Sequence, residues 1–281
     1  MTTSKTPNLV FLGGGNMAEA ILAGLLARKV YAADELLVAE IRPERRAELE
    51  ARHGVATTGT PRDALAALPP GQPPVILLAV KPQQAPALLR ELAPVLTAST
   101  LLLSICAGLP TRALEALVPC RVIRIMPNLP ATVGHGVSAL AAGARIAEGD
   151  LDTALRIFSA VGLAFPMPED KLDLVTGFSG SGPGYVFAFM EALEAAGIEG
   201  GIPADIARQM AIETVLGAAV LAAAEAVKGT DGATPAVLRQ RVSSPGGTTL
   251  AGLAAAEEQG LSRAVVAAVH AATRRSAELA Q

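Results

Sequence analysis

Two glycine-bearing stretches carry residue types at spacings that could do chemistry. The first is Gly13-x-Gly15-x-x-Ala18, which follows the apolar run 8–12 and opens the helix-forming run 16–26. Strand, tight turn and helix at this spacing make a dinucleotide-binding fingerprint, with alanine in the permitted third place. Gly13 makes the turn, Gly15 lets a pyrophosphate approach the backbone, and small Ala18 lets helix and strand pack closely. The second stretch is Val242-Ser-Ser-Pro-Gly-Gly-Thr-Thr-Leu250. Pro245 fixes φ, Gly246 and Gly247 permit conformations closed to other residues, and 250–258 reads as a helix. Thr248 and Thr249 then sit in its first turn, where unpaired N–H groups and partial positive charge favour an anion such as a carboxylate. The plainer alternative is a Ser/Thr-capped helix after a Pro-Gly turn.

The first half of the chain must supply the sheet that positions the glycine turn. Apolar runs at 36–40, 74–80, 100–105 and 121–126 have strand length, and 74–80 and 100–105 are continuous enough for a parallel sheet covered on both faces. Strands at 136–141 and 163–166 flank a helix over about 148–161. In an open α/β sheet the ligand lies beyond the carboxyl ends of the strands. Lys81-Pro-Gln-Gln84, Cys106-Ala-Gly108 and Asn128, held between Pro127 and Pro130, lie at that edge. Glu40 ends its strand where a ribose-reading residue belongs and favours the 2′-hydroxyl of NAD. Arg42, with Arg45 and Arg46 behind it, favours the 2′-phosphate of NADP, and the two signals oppose each other.

Beyond Lys171 the chain reads as helices over 171–177, 183–196, 203–227, 233–241, 249–259 and 262–279. Pro183, Pro203 and Pro235 fall early in theirs, where a missing N–H costs nothing. These helices are apolar around much of their circumference, so roughly a hundred residues cannot bury that surface alone. A homodimer through this region follows. The expected domains are 1–167 and 168–281. Ser179-Gly-Ser-Gly-Pro-Gly184 reads either as a flexible linker or as a shaped entrance to the helix that follows.

At 281 residues, 51% hydrophobic and 17% charged, the chain can bury a large core. Net charge of −3, with no basic cluster beyond Arg45-Arg46 and Arg274-Arg275, argues against nucleic acid as partner. Cys106 and Cys120 lack CxxC spacing, and His53, His135 and His270 are scattered without metal-ligand spacing, so no metal is expected. Residues 1–7 contain no signal-peptide core. Mean hydropathy of +0.42 rests largely on alanine, and the apolar runs are broken before the ~20 residues of a membrane span. A cytoplasmic protein with no membrane partner is the expectation.

Taken together, Leu12-Gly-Gly-Gly-Asn-Met17, Ala79-Val-Lys-Pro82, Ala107-Gly108, Met126-Pro-Asn128, Ser179-Gly-Ser-Gly-Pro183 and Ser243-Ser-Pro-Gly-Gly-Thr-Thr249 resemble the pyrroline-5-carboxylate reductases in order and approximate spacing, over essentially the whole chain. The resemblance implies an N-terminal Rossmann dinucleotide-binding domain followed by an all-α dimerisation domain. It implies hydride transfer from NADPH, with NADH as the alternative, to the C=N carbon of L-1-pyrroline-5-carboxylate to give L-proline. It places Gly13, Gly15, Asn16 and Met17 at the pyrophosphate. Ala79, Val80, Lys81, Pro82, Ala107 and Gly108 would line the path to the nicotinamide, with Arg42 and Asn128 as further cofactor residues. It places the substrate carboxylate on Ser244, Gly247 and Thr248, the hydroxyl of Thr249 near the ring nitrogen, and Glu169 near the substrate. Relatives of this kind often assemble as decamers.

Some positions depart from the family pattern. Leu129 stands where Thr is usual, Gly184 where Ala is usual, Asp231 is the nearest acid to a Glu-x-x-Pro arrangement, and Thr58 lies in a segment that lacks an Asn. A β-hydroxyacid-type dehydrogenase would need a lysine on the helix after the SGSGP string, and 185–196 has none. A non-catalytic nucleotide-binding protein would not need the intact SPGGTT turn. A larger cyclic imine is compatible as a secondary substrate.

Overall fold

A computed structural model describes residues 7–69 and 74–279; most of the N-terminal segment read above for a signal core lies outside them. The strands are β1 (Leu9–Leu12), β2 (Leu36–Ala39), β3 (Ala56–Thr58), β4 (Val75–Leu78), β5 (Leu101–Ser104), β6 (Arg121–Met126), β7 (Gly136–Ala142) and β8 (Gly162–Pro166). They form one sheet in the order β3-β2-β1-β4-β5-β6-β7-β8. Pairing is parallel except for β6 with β7. The strand order reverses at β1, so the turn after it sits at a topological switch point.

Burial explains why the apolar runs are continuous. Leu9 and Phe11 of β1 join Leu77, Leu103 and Ile123 in one core, while Val10 and Leu12 join Ile76, Leu78, Leu102 and Val122 in another. Successive side chains point to opposite faces of a strand, and both faces are covered. The helices here are α1 (Asn16–Ala27), α2 (Pro43–His53), α3 (Pro61–Ala66), α4 (Ala85–Leu92), α5 (Thr111–Leu117) and α6 (Asp150–Phe158), then the single turn α7 (Leu172–Val175). The strand β3 has no counterpart in the sequence reading. Its three residues are exposed or half-buried at the sheet edge, so no apolar run marks them.

The remaining helices are α8 (Gly182–Glu199), α9 (Ala204–Ala226), α10 (Pro235–Arg241), α11 (Thr248–Glu258) and α12 (Leu261–Leu279), close to the expected spans. The chain divides into one compact unit running to Ser181 and resuming at Ala271, and a second made of Gly182–His270. The segment after β8 stays with the sheet because Leu172 is fully buried against Ala139 and Ala141 of β7. Ser276 Oγ donates to Asp173 at 2.7 Å within the same unit. The chain thus passes from one compact unit to the other at Ser181–Gly182 and returns at His270–Ala271.

In the second unit α8 and α9 pack closely, with Gly197 against Ala207, and the Tyr185 hydroxyl donates to the Ala268 carbonyl of α12. Little else is covered: only Ala207, Ala211 and Glu225 of α9 are buried, and Phe187, Met210, Leu216 and Val220 stand about half exposed or more. With 23 residues, and an 18-residue stretch of mean hydropathy 1.4 within them, α9 is long and apolar enough to cross a membrane, which differs from the expectation that the apolar runs are too short. Its few charged residues, Asp205, Arg208, Glu213 and Glu225, are spaced far enough apart to leave such a window.

Phe11 is fully buried between strands, so Phe11→Ala should lower unfolding free energy by about 3–5 kcal/mol. Urea denaturation followed by circular dichroism checks this, and a loss below ~1 kcal/mol would place Phe11 outside the core.

Candidate active site

The glycine turn follows from the parallel pairing of β1 with β4. Gly13 has φ +104°, and a Cβ there would lie 2.7 Å from the Ala79 carbonyl oxygen, so only glycine fits. At Gly15 a Cβ would meet nothing within 4 Å. That is the open approach a pyrophosphate needs, and α1 begins at the next residue, Asn16, with no side-chain cap on its amino end. Ala18 is buried beneath it. These residues fit a nicotinamide dinucleotide.

The neighbouring turns lie at the same edge. Ala79 continues from β4, its N–H donating to Leu12 O at 2.9 Å; Val80 and Pro82 are half-buried and Lys81 is exposed. After β5, Cys106 is buried and its thiol lies 3.3 Å from Val80 O, which ties this turn to the next. Burial pushes both thiols, Cys106 and Cys120, up to about 11; both cysteines are free. Ala107 is exposed and Gly108 adopts φ +75°. Asn128 does not project freely. Its Oδ1 accepts from Val137 N at 2.8 Å and its Nδ2 donates to Ser179 O at 3.0 Å. It fastens the start of β7 to a π-helical turn, Thr176–Gly180, so the SGSG string is a folded element and not a loose linker.

Charged groups surround the Gly14 peptide. Glu40, buried, accepts from Gly14 N at 3.1 Å, and its other oxygen accepts from Arg42 N and Nε at 3.0 and 2.9 Å. Burial raises the Glu40 carboxyl, but the hydrogen bonds from Arg42 and the Gly14 amide outweigh this and hold it below the usual range. Arg42 is 61% exposed. Arg45 Nε donates to Gly14 O at 2.8 Å, and its terminal nitrogens reach Glu19 at 2.5 Å and Glu48 at 2.8 Å. Arg46 donates to the carbonyls of Glu40 and Ile41. The three arginines read together in the sequence thus have separate partners, and Arg42 alone of them presents an exposed guanidinium beside Glu40.

Glu169 has its carboxylate taken. It accepts from Thr111 N and Oγ1 at 2.7 and 2.6 Å, closing the amino end of α5, and lies 3.4 Å from Arg124.

In the second unit, Gly246 has φ +71° and Gly247 N donates to Ser244 O at 2.9 Å. A Cβ on Gly247 would fall 2.4 Å from Ser244 Oγ, so the turn sets that hydroxyl close beside it, and its left-handed residue is the preceding Gly246. Here α11 starts at Thr248, a residue earlier than expected, again without a side-chain cap. The N–H of Gly247 is spent inside the turn; those of Thr248 and Thr249 are the ones a helix start leaves over. Ser244, Thr248 and Thr249 are exposed.

A mainly parallel sheet with a glycine turn at its switch point, followed by apolar helices, defines a Rossmann-type dinucleotide-binding protein with a helical second unit. Residues 169–279 match the family model described as pyrroline-5-carboxylate reductase dimerisation, and 8–108 match NADP oxidoreductase coenzyme F420-dependent. A pyrroline-5-carboxylate reductase of Synechocystis is 43% identical over 96% of this chain and 97% of its own. The structure of a pyrroline-5-carboxylate reductase from Coxiella burnetii superposes with TM-score 0.89 at 33% identity, covering 99% of this chain and 100% of that one. The Plasmodium falciparum pyrroline carboxylate reductase with NADP bound superposes with TM-score 0.83 at 26% identity, over 99% of each chain. The chain belongs to the pyrroline-5-carboxylate reductase family.

Beside the glycine turn, Glu19 collects Arg45, Arg52 and His53, whose Nε2 lies 3.0 Å away. Burial raises its carboxyl, but the hydrogen bonds from His53, Arg45 and Arg52 prevail and bring it to about 2. A carboxyl held below its unfolded value of about 4.3 adds stability above that pH and loses it as pH falls toward 2. Glu19→Gln should therefore be less stable than wild type at pH 7, with the gap narrowing between pH 5 and 2. Urea midpoints across that range test it; a gap independent of pH would show that Glu19 does not titrate this way.

Proposed function

We propose that the protein reduces L-1-pyrroline-5-carboxylate to L-proline, with NADPH preferred and NADH as the alternative, as a soluble cytoplasmic dimer. The reading is carried by the SPGGTT turn within a chain that belongs to this family over its whole length. Its turn sets Ser244 beside the start of α11, and the amides of Thr248 and Thr249 would face an anion at the positive end of that helix. The substrate carboxylate is the anion that fits. Bound cofactor supplies the hydride, and the protein supplies position and electrostatics. Negative charge would otherwise build on the imine nitrogen as its carbon is reduced. A hydroxyl donor at that nitrogen, Thr249, eases the step without a strong acid. Glu169, held by Thr111 and Arg124, would serve the substrate side by fixing α5 and the turn before it. The half-exposed apolar faces of α8, α9 and α12 would be covered by a second subunit, which accounts for the membrane-like composition of α9; a decamer of five such dimers extends the same reading.

Nicotinamide oxidation at 340 nm with the imine substrate tests this. Wild type should turn over, and Thr249→Ala should fall about 10²–10³-fold in rate. Wild type that binds NADPH but leaves the imine untouched would sink the assignment. Exposed Arg42 supports the 2′-phosphate preference, so Arg42→Ala should weaken NADPH roughly 10–100-fold while changing NADH little. An equal effect on both cofactors would remove Arg42 from that role.

A further inference from the structure

Both main-chain polar groups of Gly14 are engaged by side chains from beyond β2. The Gly14 N–H donates to the buried carboxylate of Glu40 at 3.1 Å, and the Gly14 carbonyl accepts from Arg45 Nε at 2.8 Å. Gly14 lies between the glycine that makes the turn and the glycine that leaves the approach open, so Glu40 fixes the Gly13–Gly14 peptide plane and Arg45 the Gly14–Gly15 plane, and the second of these sets where the Gly15 amide points as the chain enters α1. Neither holding group is loose. Glu40 is locked from its other side by the backbone and side chain of Arg42, and Arg45 by Glu19 and Glu48. Leu49 closes the remaining side: a Cβ on Gly14 would lie 2.8 Å from Leu49 Cδ1 and 3.3 Å from Glu40 Oε2.

We infer that Glu40 and Arg45 are positioning residues for the cofactor, a charged clamp that presets the pyrophosphate-binding turn, and that Glu40 does not read the ribose. This rests on the reading that the turn binds a nicotinamide dinucleotide. The carboxylate that would accept from a 2′-hydroxyl is already spent on one backbone amide of the turn and on Arg42. The clamp acts on the part NADH and NADPH share. A ribose-reading acid acts on the part in which they differ: it favours the 2′-hydroxyl and repels a 2′-phosphate. The two roles predict opposite signs for NADPH when Glu40 loses its charge.

The test is fluorescence titration of NADH and NADPH against full-length wild type, Glu40→Ala, Arg45→Met and the double variant, with thermal melts of each. Each single variant should weaken both nucleotides about 3–10-fold, the net worth of one hydrogen bond. The double variant should lose less than the product of the two, because the two groups hold successive peptides hinged at one residue, Gly14. In turnover the loss should fall on the cofactor KM and leave the KM for the imine in place, a split that general destabilisation would not produce. Arg45→Lys, which keeps the charge toward Glu19 and Glu48 without the guanidinium fork, should lie between wild type and Arg45→Met and serves if Arg45→Met melts early. Glu40→Ala binding NADPH as tightly as or tighter than wild type overturns the clamp and restores the ribose role. Arg45→Met and Arg45→Lys binding both nucleotides as wild type also overturns it, with the cofactor reading intact. Wild type that binds neither nucleotide removes that reading and the clamp with it.

Discussion

The parallel pairing of β1 between β2 and β4 is the constraint on which the nucleotide-binding unit depends. Register places Leu12 opposite both Ala39 and Leu78, so three strands end together and the chain leaving β1 must turn at once. Ala79, leaving β4, brings its carbonyl to where a side chain on Gly13 would stand. The turn can be entered only by glycine, and α1 must start within three residues. Everything that touches the turn, from Ala18 beneath it to Glu40 and Arg45 beside it, is set by strands whose apolar residues divide cleanly between two cores.

Features written in local pattern were legible in the sequence: buried strands as continuous apolar runs, the glycine spacing, the prolines near helix starts and the SPGGTT turn. Features made by distant partners were not. Glu169 is drawn to Thr111 and Arg124, 58 and 45 residues away, and no spacing announces that. Asn128 looks from sequence like a ligand group because two prolines hold it rigid. In the fold its amide is consumed by Val137 and Ser179. The division of the chain into compact units follows distant partners too. The residues after β8 read as the first of a run of helices, and Leu172, with Met167 and Val175 beside it, packs them on β7. A few apolar residues around a single turn have no periodicity to display.

The helical unit illustrates what apolar composition decides and what it leaves open. Helices rich in Ala, Leu and Val with few charges can serve as a protein core, an interface or a membrane span, and α9 passes the length and hydropathy test for the last. What separates the uses is the neighbouring sequence. Alpha-helical hairpins that meet through small residues, here Gly197 on Ala207, bury one stripe and leave broad apolar faces on the others. Such faces on a family-matched dimerisation segment call for a second copy, because scattered apolar residues are ordinary on a surface but contiguous ones of this extent are not.

An acidic residue at the end of β2 is usually read as a statement about the ribose. The geometry shows how the same residue type at the same position can do something else. A carboxylate buried at the end of a strand must be compensated, and whichever donors compensate it determine its function. Here the donors are a backbone amide of the glycine turn and a neighbouring arginine, leaving the arginine exposed toward solvent. Charge opposition that looked unresolved along the sequence, Glu40 against Arg42, becomes a single arrangement in three dimensions: the acid shapes the turn and orients the base. Residue type fixes which donors a side chain can accept, and the register of β1 and β2 selects which of them it meets.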